Sequence, residues 1–161
     1  MKAFLCLLAL GIFLHIHEGQ AIWCPPGFES FYVGPESPET CIKFAMDVKR
    51  EWHEAKSYCE SLLPGGYLAK LDEANLHWTV ISYIRSHPEM LDEGFHIGCT
   101  DEVTEGTWLW TDGLPVEMFT GHWYPGQPDG GQKENFGCLY YDDFLYSSCV
   151  NGQRLYTICM F

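Results

Sequence analysis

The chain has 161 residues, 47% of them hydrophobic and 16% aromatic, with 9 basic against 22 acidic side chains for a formal charge of −13. A surface this acidic repels phosphate backbones and anionic lipid, and no Lys/Arg cluster reverses the sign locally, which excludes nucleic acid and membrane surfaces as partners. The apolar run from Ala3 to Leu14 behind Lys2 is too short to span a bilayer and reads as a secretory signal peptide, residues 1–21, cut after Ala21.

The expected mature chain, residues 22–161, is the right size for one domain with a real hydrophobic core and too small for two. Its leader carries one cation, Lys2, and one anion, Glu18, so the mature charge stays at −13. No later stretch has the apolar length of a membrane span, and the expectation is a secreted, extracellular protein without membrane insertion. Losing Cys6 with the leader leaves Cys24, Cys41, Cys59, Cys99, Cys138, Cys149 and Cys159. An odd set in an exported chain means up to three bridges and a spare thiol, and the spacing alone does not resolve the pairing. Structural zinc would need Cys-x-x-Cys or His-x-x-x-His pairs, which are absent.

Trp23 to Thr40 is rich in Pro and Gly with Phe28, Phe31 and Tyr32 between them, a texture that resists helix and predicts short strands in a loop. After the apolar run Ile42 to Ala45, Asp47 is expected to cap a helix with the buried stripe Trp52, Ala55, Cys59 and Leu62, ended by Pro64-Gly65-Gly66. A second helix follows Asp72 as cap, with Glu73 in its first turn and Leu76, Val80, Ile81 and Ile84 on one face, and stops before Pro88. From Phe95 onward, short apolar runs between turn residues predict strands over Phe95 to Cys99, Thr107 to Thr111, Phe136 to Tyr141, Phe144 to Cys149 and Leu155 to Met160. Asn151-Gly152 suits a hairpin turn before the last of these. Between Gly113 and Phe136 lies a long aperiodic segment whose aromatics Phe119, Trp123 and Tyr124 argue for order, and a loop of that length in a compact domain is usually functional. Helices early and strands late point to an α+β domain.

The strings Phe95-His96-Ile97-Gly98-Cys99-Thr100-Asp101, Gly106-Thr107-Trp108-Leu109-Trp110-Thr111-Asp112-Gly113 and Gln127-Pro128-Asp129, followed by the late cysteines, resemble a C-type lectin domain from Cys24 to Phe161. The resemblance implies two helices with antiparallel sheets and a long ligand-binding loop. It also implies the bridges Cys59 to Cys159, Cys138 to Cys149 and, for the longer variety with an N-terminal hairpin, Cys24 to Cys41. Cys99 is left over as a buried thiol that behaves as a small hydrophobe.

Asp101, Glu105, Asp129, Glu134, Asn135, Asp142 and Asp143 crowd hard oxygen donors into the second half, and Ca2+ takes six to eight such oxygens. In the family the tripeptide matching Gln127-Pro128-Asp129 supplies two calcium ligands that also bond sugar hydroxyls, usually across a cis proline. Its Gln-first, Asp-last form resembles the galactose-selective type. Glu134 matches the next ligand, and the resemblance places Asp101, Glu105 and Asn135 at a secondary calcium position. Trp123 matches a framework tryptophan. Two departures stand out. Phe144-Leu145-Tyr146 occupies the place of the family's Trp-Asn-Asp ligands, leaving Asp142 and Asp143 just upstream as the candidate substitutes. In addition, Phe136-Gly137 separates Glu134-Asn135 from Cys138, and the Gly-rich stretch after Asp129 lacks a stacking Trp, a role for which Phe136 or Tyr146 is the substitute unless it is simply packed.

The expected function is therefore a secreted calcium-dependent lectin for glycans of the galactose/N-acetylgalactosamine type, on microbes or host surfaces. Useful avidity would have to come from a homodimer, through the sheet edge or Cys99, because the chain has no stalk. The alternative keeps the scaffold and binds protein or calcium mineral in the extracellular matrix, motivated by Leu145, Tyr146 and the charge. An enzyme is not expected: the mature chain has five histidines but no Gly-x-Ser-x-Gly elbow, His-Glu-x-x-His helix or phosphate loop, and His53 and His77 fall on predicted helices.

Overall fold

The computed structural model describes residues 23–34, 39–118, 122–140 and 143–161. The expected leader, Phe119, Tyr141 and the candidate ligand Asp142 lie outside the described residues. Eight strands and two helices follow in the order β1 (Glu29–Tyr32), β2 (Glu39–Arg50), α1 (Trp52–Leu62), β3 (Tyr67–Leu68), α2 (Ala74–Ser86), β4 (Phe95–Thr100), β5 (Leu109–Trp110), β6 (Phe136–Tyr140), β7 (Leu145–Cys149) and β8 (Leu155–Met160). Among the described residues no helix is long and apolar enough to cross a membrane.

The sheet runs β1-β2-β8-β4-β6-β7, with β3 added to β8 and β5 to β4. The architecture is the expected α+β one, with a correction to the antiparallel expectation: β4 and β8 pair in parallel, Phe95 opposite Tyr156. The parallel pair follows from where the last strand goes. Asn151 and Gly152 do form a tight turn, with Gly152 at φ 81° and Gln153 N–H bonded to Val150 O at 2.9 Å, but they do not close a hairpin. The chain leaves β7 at the sheet edge and inserts β8 between β2 and β4, where it is paired on both sides.

Both helix starts differ from the expected caps. Asp47 lies inside β2, which extends to Arg50 past a register shift after Ala45. Its carboxylate is bound by Arg50 at 2.9 Å, and that guanidinium holds the Asp47 pKa below its usual value. The cap is Glu51, whose N–H is bonded by the Glu54 carboxylate at 3.1 Å, half of the reciprocal arrangement that satisfies orphan donors at a helix start. Helix α2 is capped by Glu73, one residue beyond Asp72, which pairs with Lys70 at 3.1 Å. The predicted strand over Thr107 to Thr111 shortens to Leu109 and Trp110, and Phe144 falls in the β6–β7 turn at φ 50° while its ring is buried.

The α2 stripe Leu76, Val80, Ile81 and Ile84 lies in the main core with Phe95, Ile97 and Ile158. Trp52, Ala55 and Cys59 of α1 form a second cluster with Leu68, Phe136 and Cys159, in which Trp52 stacks on Phe136 at 4.9 Å and donates its indole N–H to Ile97 O at 2.8 Å. Burial of this kind supplies most of the driving force for folding. The three bridges are those the resemblance implies: Cys24–Cys41, Cys59–Cys159 and Cys138–Cys149, with Cα separations of 5.5, 5.3 and 6.2 Å. Cys59–Cys159 closes a loop of 100 residues and ties α1 to β8, a constraint worth about 4.7 kcal/mol in the chain-entropy model.

Cys99 is the free cysteine among the described residues, fully buried on β4, and burial pushes its thiol pKa far up. A disulfide-linked homodimer through Cys99 is therefore not available to the folded protein. Its sulfur occupies the space above Gly137 on the neighbouring strand: a Cβ at residue 137 would lie 2.1 Å from Cys99 Sγ. Gly137→Ala is expected to destabilise the domain by about 1–3 kcal/mol through this overlap, and the loss should be smaller when Cys99→Ala is added. Denaturant unfolding of the single and double variants checks the coupling.

Candidate functional site

The described residues of the long segment from Gly113 to Phe136 have little regular structure and are fastened to the sheet at both ends. At its near end Pro115 bridges Leu109. Further on, His122 O accepts the Tyr146 N–H at 2.7 Å and Tyr124 N–H donates to Tyr146 O at 2.8 Å, so the segment lies beside β7 like a parallel strand. Trp123, as expected of a framework residue, is buried with its ring edge-on to Trp108 and Tyr146. The segment then turns at Gly126, φ 94°, with Gln127 N–H bonded to Tyr124 O at 2.8 Å. The Gln127–Pro128 peptide is cis. After Asp129 a single 3-10 turn, Gly131–Lys133, leads into Glu134, Asn135 and β6.

Three of the expected ligands come together here. Gln127 Oε1 accepts both the backbone N–H and the hydroxyl of Ser148, at 2.7 and 2.8 Å, and Ser148 Oγ also lies 2.8 Å from Glu134 Oε2. Gln127 Nε2 donates to Asp129 Oδ1 at 2.5 Å. Asp129 is exposed, while Gln127 and Glu134 are half-buried. The result is a cleft of about 350 Å³ whose lining includes Gln127, Asp129, Glu134, Tyr140 and Ser148. Glu134 folds back over Gly130, where a Cβ would come within 2.2 Å of its Cδ, so only glycine leaves the carboxylate room in this position.

Asp101, Glu105 and Asn135 lie at the adjoining loop. Asp101 is 4% exposed, and its Oδ2 accepts the Gly106 N–H at 2.8 Å. Asn135 O accepts the Asp101 N–H at 3.2 Å and the Thr100 hydroxyl at 2.8 Å, joining the two loops. Asp101 Oδ1 and Asn135 Oδ1 are both buried without a hydrogen-bond partner. Glu105 Oε1 reaches to 3.8 Å from the Cβ position of Gly131, next to the 3-10 turn.

The remaining candidates lie outside these two groups. Asp143 is not part of either group: its carboxylate faces Arg85 of α2 at 3.7 Å and does not line the cleft. Phe136 and Tyr146 are packed, at 7% and 1% exposure, so neither offers a face to a ligand. Tyr140, 38% exposed, is the aromatic that lines the cleft. The Tyr146 hydroxyl is spent on Leu71 O at 2.5 Å. His53 is exposed and pairs with Glu102 at 3.1 Å.

Two contributors were not anticipated. Ser148 sits between Gln127 and Glu134 because β7 pairs with β6 in a register that places it opposite Gly137. Asn151, read as turn chemistry alone, also accepts the Asn135 N–H at 2.9 Å and donates to Gln132 O at 3.1 Å, which braces the Glu134–Asn135 corner. A serine at the fourth position of a five-residue strand carries no sequence signal of this role, and the turn propensity of Asn151 says nothing of the side-chain bonds it makes to Asn135 and Gln132.

Among the described residues no three His, Cys, Asp or Glu side chains converge to hold a metal. A cation in either place would therefore take amide and hydroxyl oxygens beside the carboxylates. That donor set suits Ca2+, a hard ion satisfied by mixed oxygens, and not zinc. Buried oxygens without partners, as on Asp101 and Asn135, are costly unless something with positive charge or a donor meets them, so the residues present fit the ion.

Residues 48–161 match the family model described as the Lectin C-type domain. The alpha-N-acetylgalactosamine-specific lectin of Patiria pectinifera is 30% identical over 140 residues, 81% of this chain and 77% of that protein. A C-type lectin of Cerberus rynchops is 28% identical over 131 residues, 81% of this chain and 76% of its own length. The carbohydrate-recognition domain of the mouse scavenger receptor C-type lectin superposes with a TM-score of 0.70 at 25% identity, covering 86% of this chain and 95% of that one. A calcium-independent type II antifreeze protein shares the fold at 22% identity, with a TM-score of 0.68 over 89% of this chain and 97% of that one. With its bridges, its sheet and its anchored long segment placed as above, the chain belongs to the C-type lectin domain family.

Proposed function

We propose that the protein is a secreted lectin that binds galactose-type glycans through Ca2+ held at the Gln127, Asp129 and Glu134 cluster. The observation that carries the reading is the convergence of Gln127 Oε1 and Glu134 Oε2 on Ser148, with the exposed Asp129 carboxylate beside them. These oxygens, with Ser148 Oγ, are fewer than the six to eight Ca2+ takes, which leaves places for water and for the hydroxyls of a sugar. Asp101, Glu105 and Asn135 are proposed as a second, supporting calcium position, on the strength of their two unpartnered buried oxygens. The Gln-Pro-Asp order and the printed specificity of the Patiria relative favour galactose and N-acetylgalactosamine. Tyr140 is proposed to lie under the apolar face of the sugar, the place left open by the burial of Phe136 and Tyr146. Export is supported by three disulfides and the apolar leader.

When bound, the ion supplies positive charge and open coordination places. The chain's own residues do the rest. Gln127 Nε2 donates to Asp129 and so keeps the amide oxygen turned toward Ser148. Asn151 holds the Glu134–Asn135 corner at its height above the sheet. A second reading, a module of the same scaffold for protein or calcium mineral, is favoured by Leu145 and Tyr146 standing where the family's Asn-Asp ligands are expected. Galactose separates the two.

On a galactose resin with calcium the protein should be retained, released by chelator and competed by free galactose. Gln127→Glu with Asp129→Asn should shift retention toward mannose-type sugars. Retention on neither resin, by either protein, overturns the lectin reading in favour of the second.

Gly130→Ala should displace the Glu134 carboxylate and weaken calcium uptake at least about tenfold, a 1.4 kcal/mol effect, by titration calorimetry. The thermal midpoint of the chelated variant should stay close to that of the parent.

Tyr140→Ala should weaken galactose binding by about tenfold, in line with the worth of one aromatic contact, while calcium uptake is unchanged. Parallel calorimetric titrations with sugar and with calcium distinguish these effects.

A further inference from the structure

His77 on α2 is fully buried, and neither ring nitrogen has a hydrogen-bond partner. Its ring stacks on that of His122, with centroids 4.3 Å apart and planes at 22°. His122 is itself 5% exposed. Tyr146 closes the arrangement edge-on, 4.9 Å from His77 and 5.6 Å from His122, and Trp78 lies edge-on at 5.0 Å from His77. This contact fastens the long segment to α2 at the point where its backbone joins β7. From His122 the backbone bonds run through Tyr146 and Tyr124 to Gln127, and Ser148, two residues along β7 from Tyr146, holds the Gln127 side chain.

Two neutral imidazoles stack without charge repulsion, but two imidazolium rings at this distance, buried from solvent, repel strongly. Burial, reinforced by the charge of His122, lowers the His77 pKa to about 3, and burial lowers that of His122 as well. Among the described residues, the ionisable side chains in ring contact with the pair are each other and the Tyr146 phenol, which burial keeps protonated. Asp72 at the foot of α2 pairs with Lys70, Arg85 further along α2 pairs with Asp143, and the Glu73 backbone carbonyl receives the His77 N–H. Among the described residues no carboxylate bonds to either ring, so nothing in contact would stabilise a proton placed there.

We propose that His77 and His122 are positioning residues that form a proton-sensitive latch: neutral, they hold the start of the stretch that leads from His122 to Gln127–Asp129 against α2, and protonated, they part and let that stretch open. The stabilising contribution is complete above the ordinary histidine pKa near 6.5. Because the closed form binds the proton less readily than the open form, it is lost as the pH falls from there toward 3. For His77 alone, linkage makes the opening constant rise about hundredfold between pH 7.5 and pH 4.5. Release of glycan on acidification would follow, and that consequence rests on the calcium-lectin reading above; the opening does not.

The test is hydrogen exchange of the full secreted chain in chelator, which removes any contribution from protons competing with a metal, with rates corrected for intrinsic exchange. The peptide spanning residues 122–129 should open about hundredfold more at pH 4.5 than at pH 7.5, with β8 and β4 still protected. His77→Phe, which keeps a ring and removes the titration, should abolish most of that dependence. An unchanged dependence in His77→Phe, no rise in the parent, or a rise shared equally by β4 and β8 would overturn the latch. The last outcome would point instead to His96, buried in β4 with its own pKa lowered to about 4. Should His77→Phe fail to fold, imidazole titration of the parent by NMR decides: resonances of both rings titrating near 6.5 in the folded state overturn the proposal, and suppressed titration of His77 supports it. Acid release from galactose resin at saturating calcium is then read in parent and variant. A protein that opens as described yet never binds galactose retains the latch and loses the lectin reading.

Discussion

A stretch of chain without regular structure can present oxygen atoms at fixed positions only if something regular holds it at both ends. In this protein that support is β7. Its Tyr146 exchanges backbone bonds with His122 and Tyr124, and its Ser148 bonds the Gln127 side chain through both N–H and hydroxyl. The return end is set by Asn151, two residues beyond the end of β7, which holds Asn135 and Gln132. The positions of Gln127, Asp129 and Glu134 are thus consequences of one strand and its turn. That strand is held in turn by the Cys138–Cys149 bridge to β6.

Tyr146 links this support to the core. Where the family resemblance implies an acidic ligand, the chain has an aromatic ring surrounded by Trp110, Trp123, His77 and His122, with its hydroxyl bound to Leu71 O. Ring packing and one short hydrogen bond therefore act on the root of the long segment. Electrostatically the exchange is large: a carboxylate there would repel Glu134 and Asp129 until a cation arrived, whereas the phenol is neutral and stays so, its pKa raised by burial. Against the family pattern, the proposed site has fewer acidic oxygens and a more rigid support. Ser148 places a hydroxyl oxygen between Gln127 and Glu134.

The same aromatic environment explains two side chains that look out of place. A free cysteine in a chain with three bridges is tolerated because Cys99 is sealed under Gly137 and cannot reach another thiol. A buried histidine pair is tolerated because burial keeps both rings neutral at ordinary pH, where an imidazole is simply another flat ring to stack.

Much was decided by local chemistry and so could be read from the chain itself. The helix stripes Trp52, Ala55, Cys59 and Leu76, Val80, Ile81, Ile84 repeat at helical spacing, and β8 lies in the expected place over Leu155 to Met160 as a short, almost wholly buried run. The Gln127-Pro128-Asp129 string marked the proposed site, and the resemblance carried the bridge partners. What local chemistry could not supply was partnership across the sheet. Asp47 is a good cap in isolation, but pairing of β2 with the central β8 extends the strand past it to Arg50. Asn151-Gly152 is a good hairpin turn in isolation, but the place for β8 lay between β2 and β4, not beside β7. Asp143 is a good ligand in isolation, yet the β6–β7 turn carries it to Arg85. Ser148, Tyr140 and the His77–His122 stack belong wholly to the tertiary structure, because each depends on residues distant in sequence being brought within a few ångströms. Spacing along a chain records which residues share an element, and only the pairing of elements decides which oxygens and rings meet.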